Sequence, residues 1–126
     1  MPKILVVDDE ELIRDLLENV FTRAGYAVRS ASTAEEALSI LKEEPYRVLF
    51  LDLKLPGMSG LDLCRKIRCE YPLAIPFAVT GNASLFMLDE CREAGFEDYF
   101  TKPVSISILL DTAARAFEKL ERWKNH

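Results

Sequence analysis

Ile4-Leu5-Val6-Val7-Asp8-Asp9 is an apolar run that ends on two acids, and Val48-Leu49-Phe50-Leu51-Asp52 repeats the arrangement with one. An apolar run with no polar break is the signature of a strand covered on both faces, not of one with a wet side. If the two are neighbouring parallel strands, three carboxylates converge at one edge of a sheet. Two bare carboxylates about 4 Å apart repel by roughly 4 kcal/mol at an effective dielectric near 20, so the crowding demands a cation. Oxygen donors without a Cys or His cluster favour a hard divalent ion. So few protein ligands suit Mg²⁺, which retains waters and accepts a phosphate.

Working outward, short apolar runs alternate with longer stretches of helical spacing, the pattern of repeated βα units around a parallel sheet. The first strand, roughly residues 3 to 8, leads to a helix carrying Ile13, Leu16, Leu17, Val20 and Phe21, stopped by Gly25. A second strand follows over residues 26 to 31. Thr33 and Glu36 then form a capping box for a helix with Ala34, Ala37, Leu38 and Leu41 on one face, ended by Pro45. After the strand that ends on Asp52 comes a loop rich in breakers, Leu55-Pro56-Gly57-Met58-Ser59-Gly60. Ser59 and Asp62 suit a helix start, with Leu61, Cys64 and Ile67 inside. Residues 76 to 80 read as a fourth strand, followed by a helix with Leu85, Leu88 and Cys91 on one side and Gly95 at its end. Residues 97 to 101 read as a fifth, edge strand. The last helix carries Ile106, Leu109, Leu110, Ala113, Phe117 and Leu120 at offsets of three and four.

The expected fold is therefore α/β, a five-stranded parallel sheet with helices on both faces. Ligands of such sheets bind beyond the carboxyl ends of the strands where the strand order reverses. The order 2-1-3-4-5, common for open sheets of this kind, puts that point between strands one and three, where Asp8, Asp9 and Asp52 meet.

Bulk properties narrow the function. The 126 residues, 49% hydrophobic, fit one domain spanning 1–126. Residues 118–126 are charged and read as either a helix end or the start of a linker. A formal net charge of -5 disfavours direct binding to nucleic acid or to an anionic membrane, which leaves proteins as the expected partners. Cys64, Cys69 and Cys91 are odd in number and fall on helices, so they read as reduced thiols of a cytoplasmic protein. No stretch approaches the length needed to span a bilayer.

Two more polar residues stand at strand ends: Thr80 after Phe77-Ala78-Val79, and Lys102 before Pro103. Each is weak alone, but Asp8-Asp9, Asp52 in Leu51-Asp52-Leu53-Lys54-Leu55-Pro56-Gly57, Thr80 and Lys102-Pro103 occur together and in order. In that combination the chain, over nearly its whole length, strongly resembles the receiver domain of two-component response regulators, a flavodoxin-like fold.

That resemblance implies roles, each within the chemistry of its residue. Asp52 is the implied phosphoacceptor, taking a phosphoryl group from a histidine kinase or phosphotransfer protein. Asp9 and Asp52 would hold Mg²⁺ directly, Asp8 mostly through water, and Lys54 through its backbone carbonyl. Lys102 would pair with Asp52 before phosphorylation and with a phosphoryl oxygen afterwards. Thr80 would donate its hydroxyl to another, and Tyr99 would turn inward behind it as the switch residue, remodelling the surface of the fourth helix, fifth strand and fifth helix. Lys54 and Asn82 would tune the lifetime of a slowly autodephosphorylating state. Pro103 is similar to the family's cis proline, and Gly81 would leave the site open.

The competing readings are weaker. Asp9 alone would be a helix N-cap, Thr80 an ordinary strand residue, Lys102 a solvated cation and Tyr99 packing, while terminal His126 has no role. A Mg²⁺ phosphohydrolase needs an acid, a spacer and a second acid after strand one, which Asp8-Asp9-Glu10-Glu11-Leu12 lacks. A flavin-type cofactor binder needs a phosphate-cradling loop, and this one is acidic. A degenerate receiver acting as a constitutive interaction module is the remaining alternative, against which the complete residue set argues. The chain is thus read as a switch and not an enzyme, with a downstream protein or output domain as target and a phosphorylation-dependent homodimer left open.

Overall fold

Ile4, Leu5, Val6 and Val7 are fully shielded from solvent. In the computed structural model, which describes residues 2–81 and 84–124, they lie in an inner strand. β1 (Lys3–Val7) pairs in parallel with β2 (Ala27–Ala31) on one side and β3 (Val48–Leu51) on the other. β4 (Ile75–Thr80) and β5 (Asp98–Thr101) complete a parallel sheet of order β2-β1-β3-β4-β5. Between and after the strands run α1 (Glu11–Arg23), α2 (Ala34–Glu43), α3 (Gly60–Glu70), α4 (Leu85–Ala94) and α5 (Ile106–Lys124). The fold, order and layering expected from the sequence are those observed.

The two-residue period of the strands divides the core. Leu5, Val7, Leu49, Leu51 and Ala78 face α2, α3 and α4, meeting Ala37, Leu41, Leu63, Ile67, Cys91 and Ala94. Ile4, Val6, Val48, Phe50, Phe77 and Val79 face α1 and α5, meeting Leu17, Phe21, Leu109, Ala113 and Ala116. Phe50 stacks on Phe21 at 5.0 Å and on Phe77 at 5.2 Å between ring centroids. Such ring pairs contribute about 0.5–1.5 kcal/mol each beyond the area they bury.

Local signals set the helix ends. Thr33 Oγ1 accepts from the Glu36 amide at 3.1 Å, Ser59 Oγ from Asp62 at 3.2 Å and Ser84 Oγ from Met87 at 3.2 Å. Gly25 and Gly95 take left-handed φ values of 98° and 102° after α1 and α4. The apolar stripes were read too generously at their ends. Leu85 and Ile106, the first residues of α4 and α5, are 85% and 47% exposed, because full burial in these helices begins further along, at Cys91 and Leu109; in α1 Leu16 is 46% exposed beside the buried Leu17. The small residues Ala94 and Ala116, absent from the expected stripes, are buried instead. Of the cysteines, Cys64 and Cys91 are buried and Cys69 is exposed.

The ladder continues one step beyond the strands. The Asp8 amide donates to Ala31 O at 3.1 Å, Asp52 to Val7 O at 2.8 Å and Lys102 to Thr80 O at 2.8 Å. These bonds carry the strand register into the loops and place Asp8, Asp52, Thr80 and Lys102 at one edge.

Candidate functional site

Among the described residues, the buried polar and charged ones are Asp8, Asp52 and Thr80, all at the carboxyl ends of adjacent strands. Charges are buried only when paired, and the pairing partner is Lys102. Its Nζ lies 2.9 Å from Asp8 Oδ2 and 3.3 Å from both Asp52 Oδ2 and Glu10 Oε1. Lys102 projects from the turn after β5, through a cis Lys102–Pro103 bond.

The acids are oriented by the backbone. Asp8 Oδ1 accepts from the Glu10 amide at 2.9 Å, and Asp52 Oδ1 is 3.4 Å from the Lys54 amide. Arg14 Nη1 donates to the Asp8 carbonyl at 2.8 Å, tying the acidic loop to the first turn of α1. Gly60, at the start of α3, sits directly over the Asp52 backbone: a Cβ there would overlap the Asp52 carbonyl oxygen. The close approach therefore requires glycine.

Asp8, Asp9, Glu10 and Asp52 each offer a carboxylate oxygen within 4.8 Å of the others. Among the described residues, the ammonium paired with this cluster is that of Lys102. Burial pushes the Asp52 carboxyl up from its ordinary range and the charge of Asp8 adds to this, while Lys102 and the Lys54 amide oppose it. Burial alone would pull Lys102 down, but its hydrogen bond to Asp8 and the charges of Asp52, Asp8 and Glu10 raise it above an ordinary lysine. Lys102 is thus a permanent cation at neutral pH. A residual excess of hard anionic oxygens in one pocket suits a small divalent ion.

Thr80 closes β4 beside this cluster. Tyr99 is the register partner of Ala78, and Thr80 lies two residues further along β4, so Tyr99 and Thr80 share the sheet face covered by α4. Tyr99 is 38% exposed. Lys54 is exposed at the site's rim, and open space surrounds Gly81. Asn82 and His126 lie outside the described residues. The structure brings Asp8, Asp9, Asp52 and Lys102 close together, along with two neighbours that the sequence reading did not single out. Glu10 was passed over although it extends the acidic doublet, and Arg14 although it is a base one turn into a helix headed by acids.

The family model of the response regulator receiver domain matches residues 4–114. The transcriptional regulatory protein AfsQ1 of Streptomyces coelicolor is 35% identical over 92% of this chain and 51% of its own length. The uncharacterized transcriptional regulatory protein YrkP of Bacillus subtilis is 39% identical over 96% of this chain and 50% of its own. The chain therefore spans about half the length of these relatives. Among solved structures, a receiver domain protein (CheY-like) from Methanospirillum hungatei superposes with a TM-score of 0.92 at 33% identity, covering 97% of this chain and 98% of that one.

Proposed function

Because this chain belongs to the response regulator receiver domain family of two-component systems, we propose that it is a switch set by phosphorylation of Asp52. A histidine kinase or a phosphotransfer protein is the donor. An Asp52 carboxylate oxygen attacks the phosphorus in line, the new O–P bond replaces the bond to the donor, and the donor imidazole leaves. The observation that supports this best is the meeting of Asp52 with Asp8 and Lys102, an ammonium 3.3 Å from Asp52 in a largely buried pocket.

In this reading Asp9 and Asp52 would hold Mg²⁺ directly, while Asp8 would act through water and Lys54 through its carbonyl. When bound, the ion neutralises the carboxylates and the phosphoryl oxygens that carry charge in the transition state. Lys102 transfers its ion pair from Asp52 to a phosphoryl oxygen, and Thr80 donates its hydroxyl to another. Thr80 then draws away from the face it shares with Tyr99, and Tyr99 moves in, changing the surface formed by α4, β5 and α5. A complete shift between two states, from 1:99 to 99:1, needs about 5.5 kcal/mol of differential interaction. Charge-assisted contacts from Lys102 and Thr80 contribute about 1.5–3 kcal/mol each.

Lys54 and Asn82 tune how long the phosphoryl group survives hydrolysis. The chain acts as one receiver unit in the cytoplasm, catalysing only its own phosphorylation and dephosphorylation, and it signals to a downstream protein or output domain rather than to nucleic acid. No described helix is long and apolar enough to cross a membrane. The test is incubation with a small phosphodonor and Mg²⁺, followed by intact mass. One adduct that requires Mg²⁺ and is missing from Asp52→Asn is expected; an adduct of equal yield in that variant refutes the proposal.

A further inference from the structure

We propose that Glu10 is a positioning residue for Lys102: it holds the ammonium at the solvent side of the pocket and so competes with the phosphoryl group for it. This rests on the phosphoacceptor reading of the same site.

Glu10 occupies the N-cap position of α1, where a side-chain oxygen ordinarily accepts a backbone amide, yet its side chain makes no such bond. Its backbone is nevertheless fixed. The Glu10 amide donates to Asp8 Oδ1 at 2.9 Å, and its carbonyl accepts from Ile13 and Arg14 at 3.1 Å each. The carboxylate left over from capping is turned to Lys102 at 3.3 Å. Of the three acidic partners of Lys102, Asp8 and Asp52 lie beneath it at 2% and 6% side-chain exposure, while Glu10 is 61% exposed.

This division has a consequence for the order of events. A cation taken up by Asp9 and Asp52 weakens the hold of the lower acids on Lys102, whereas Glu10, outside the proposed ligand set, keeps its pair. Lys102 then waits on Glu10 until phosphoryl oxygens arrive, and its flexible stem with three rotatable donors can make that transfer. An exposed ion pair is weak enough to be given up at each phosphorylation. Removing the Glu10 charge releases Lys102 early, so phosphorylation speeds up.

The parent, Glu10→Gln and Glu11→Gln are compared with and without Lys102→Met, using acetyl phosphate and Mg²⁺ and following adduct formation by intact mass. Glu11 carries the same charge on the next residue but makes no ion pair with Lys102. Glu10→Gln is expected to raise the rate about two- to fivefold, the size an exposed ion pair carries. Glu11→Gln leaves the rate unchanged, and the Glu10 effect disappears when Lys102 is Met. In ¹⁵N spectra of the lysine ammonium groups with Mg²⁺ and no donor, the Lys102 signal persists in the parent and is lost to exchange in Glu10→Gln. Equal acceleration by Glu11→Gln, an effect surviving Lys102→Met, or identical Lys102 signals overturn the assignment. So does a slower Glu10→Gln with weakened Mg²⁺ binding, which makes Glu10 a ligand. A parent that takes no phosphoryl group removes the phosphoacceptor reading itself.

Discussion

At Asp52 two requirements conflict: burial and the neighbouring Asp8 both disfavour its charge, while the nucleophilic attack proposed for it needs that charge. On the proposed reading the site keeps Asp52 at a cost to the fold, and that cost is measurable. Asp52→Asn keeps the shape and removes the charge, and Lys102 retains Asp8 and Glu10 as partners. Its thermal midpoint in metal-free buffer is expected to lie above the parent's, and added Mg²⁺ is expected to narrow the gap by binding the parent more tightly. A variant less stable than the parent in metal-free buffer would contradict this. Gly60 shows the same tension in backbone form, since the helix that follows Asp52 comes so near that no side chain fits.

At the scale of elements, the proposed switch assigns the response to α4 and β5, while contacts at the amino-terminal ends of the strands bear on stability. Thr80 and Tyr99 share the face under α4, and the first turn of that helix exposes Leu85 and Phe86 at 85% and 71%. Phosphorylation is expected to change amide hydrogen exchange in α4 and β5 of the parent. Thr80→Ala should still take the phosphoryl group but leave exchange there unaltered; parent-like changes in that variant would sever Thr80 from the switch. At the opposite edge Tyr46 Oη donates to Glu44 at 2.7 Å, and Glu44 pairs with Lys3 at 2.9 Å. Burial, then the bond to Glu44, pushes the Tyr46 hydroxyl from 10.0 to about 12. The folded state thus favours the neutral phenol, so this contribution is whole below pH 10.0 and is lost as pH rises to about 12. Tyr46→Phe should cost about 1 kcal/mol in urea unfolding near neutral pH, the worth of one hydrogen bond. The difference from the parent should close across that alkaline window.

For the whole molecule, topology does most of the work: an order of β2-β1-β3-β4-β5 brings residues more than ninety positions apart, Glu10 and Lys102, within 3.3 Å. This was largely legible in the sequence. Unbroken apolar runs ending on acids mark buried parallel strands, and strand-end residues of such a sheet share an edge. What escaped depends on quantities a sequence does not carry. The exposure of Leu85 and Ile106 follows from how closely each helix turn approaches the sheet, and the pairing of Glu10 with Lys102 follows from where a side chain points once a cap is not used.

The most direct measurement is chemical mapping of the modified residue. After phosphorylation with a small donor and Mg²⁺, borohydride reduces an aspartyl phosphate to homoserine, which peptide mass spectrometry locates. The expected result is homoserine at position 52 and nowhere else. Homoserine at Asp8 or Asp9, or a phosphorylated protein that yields no homoserine at all, would contradict the assignment of Asp52 as the residue that receives the signal.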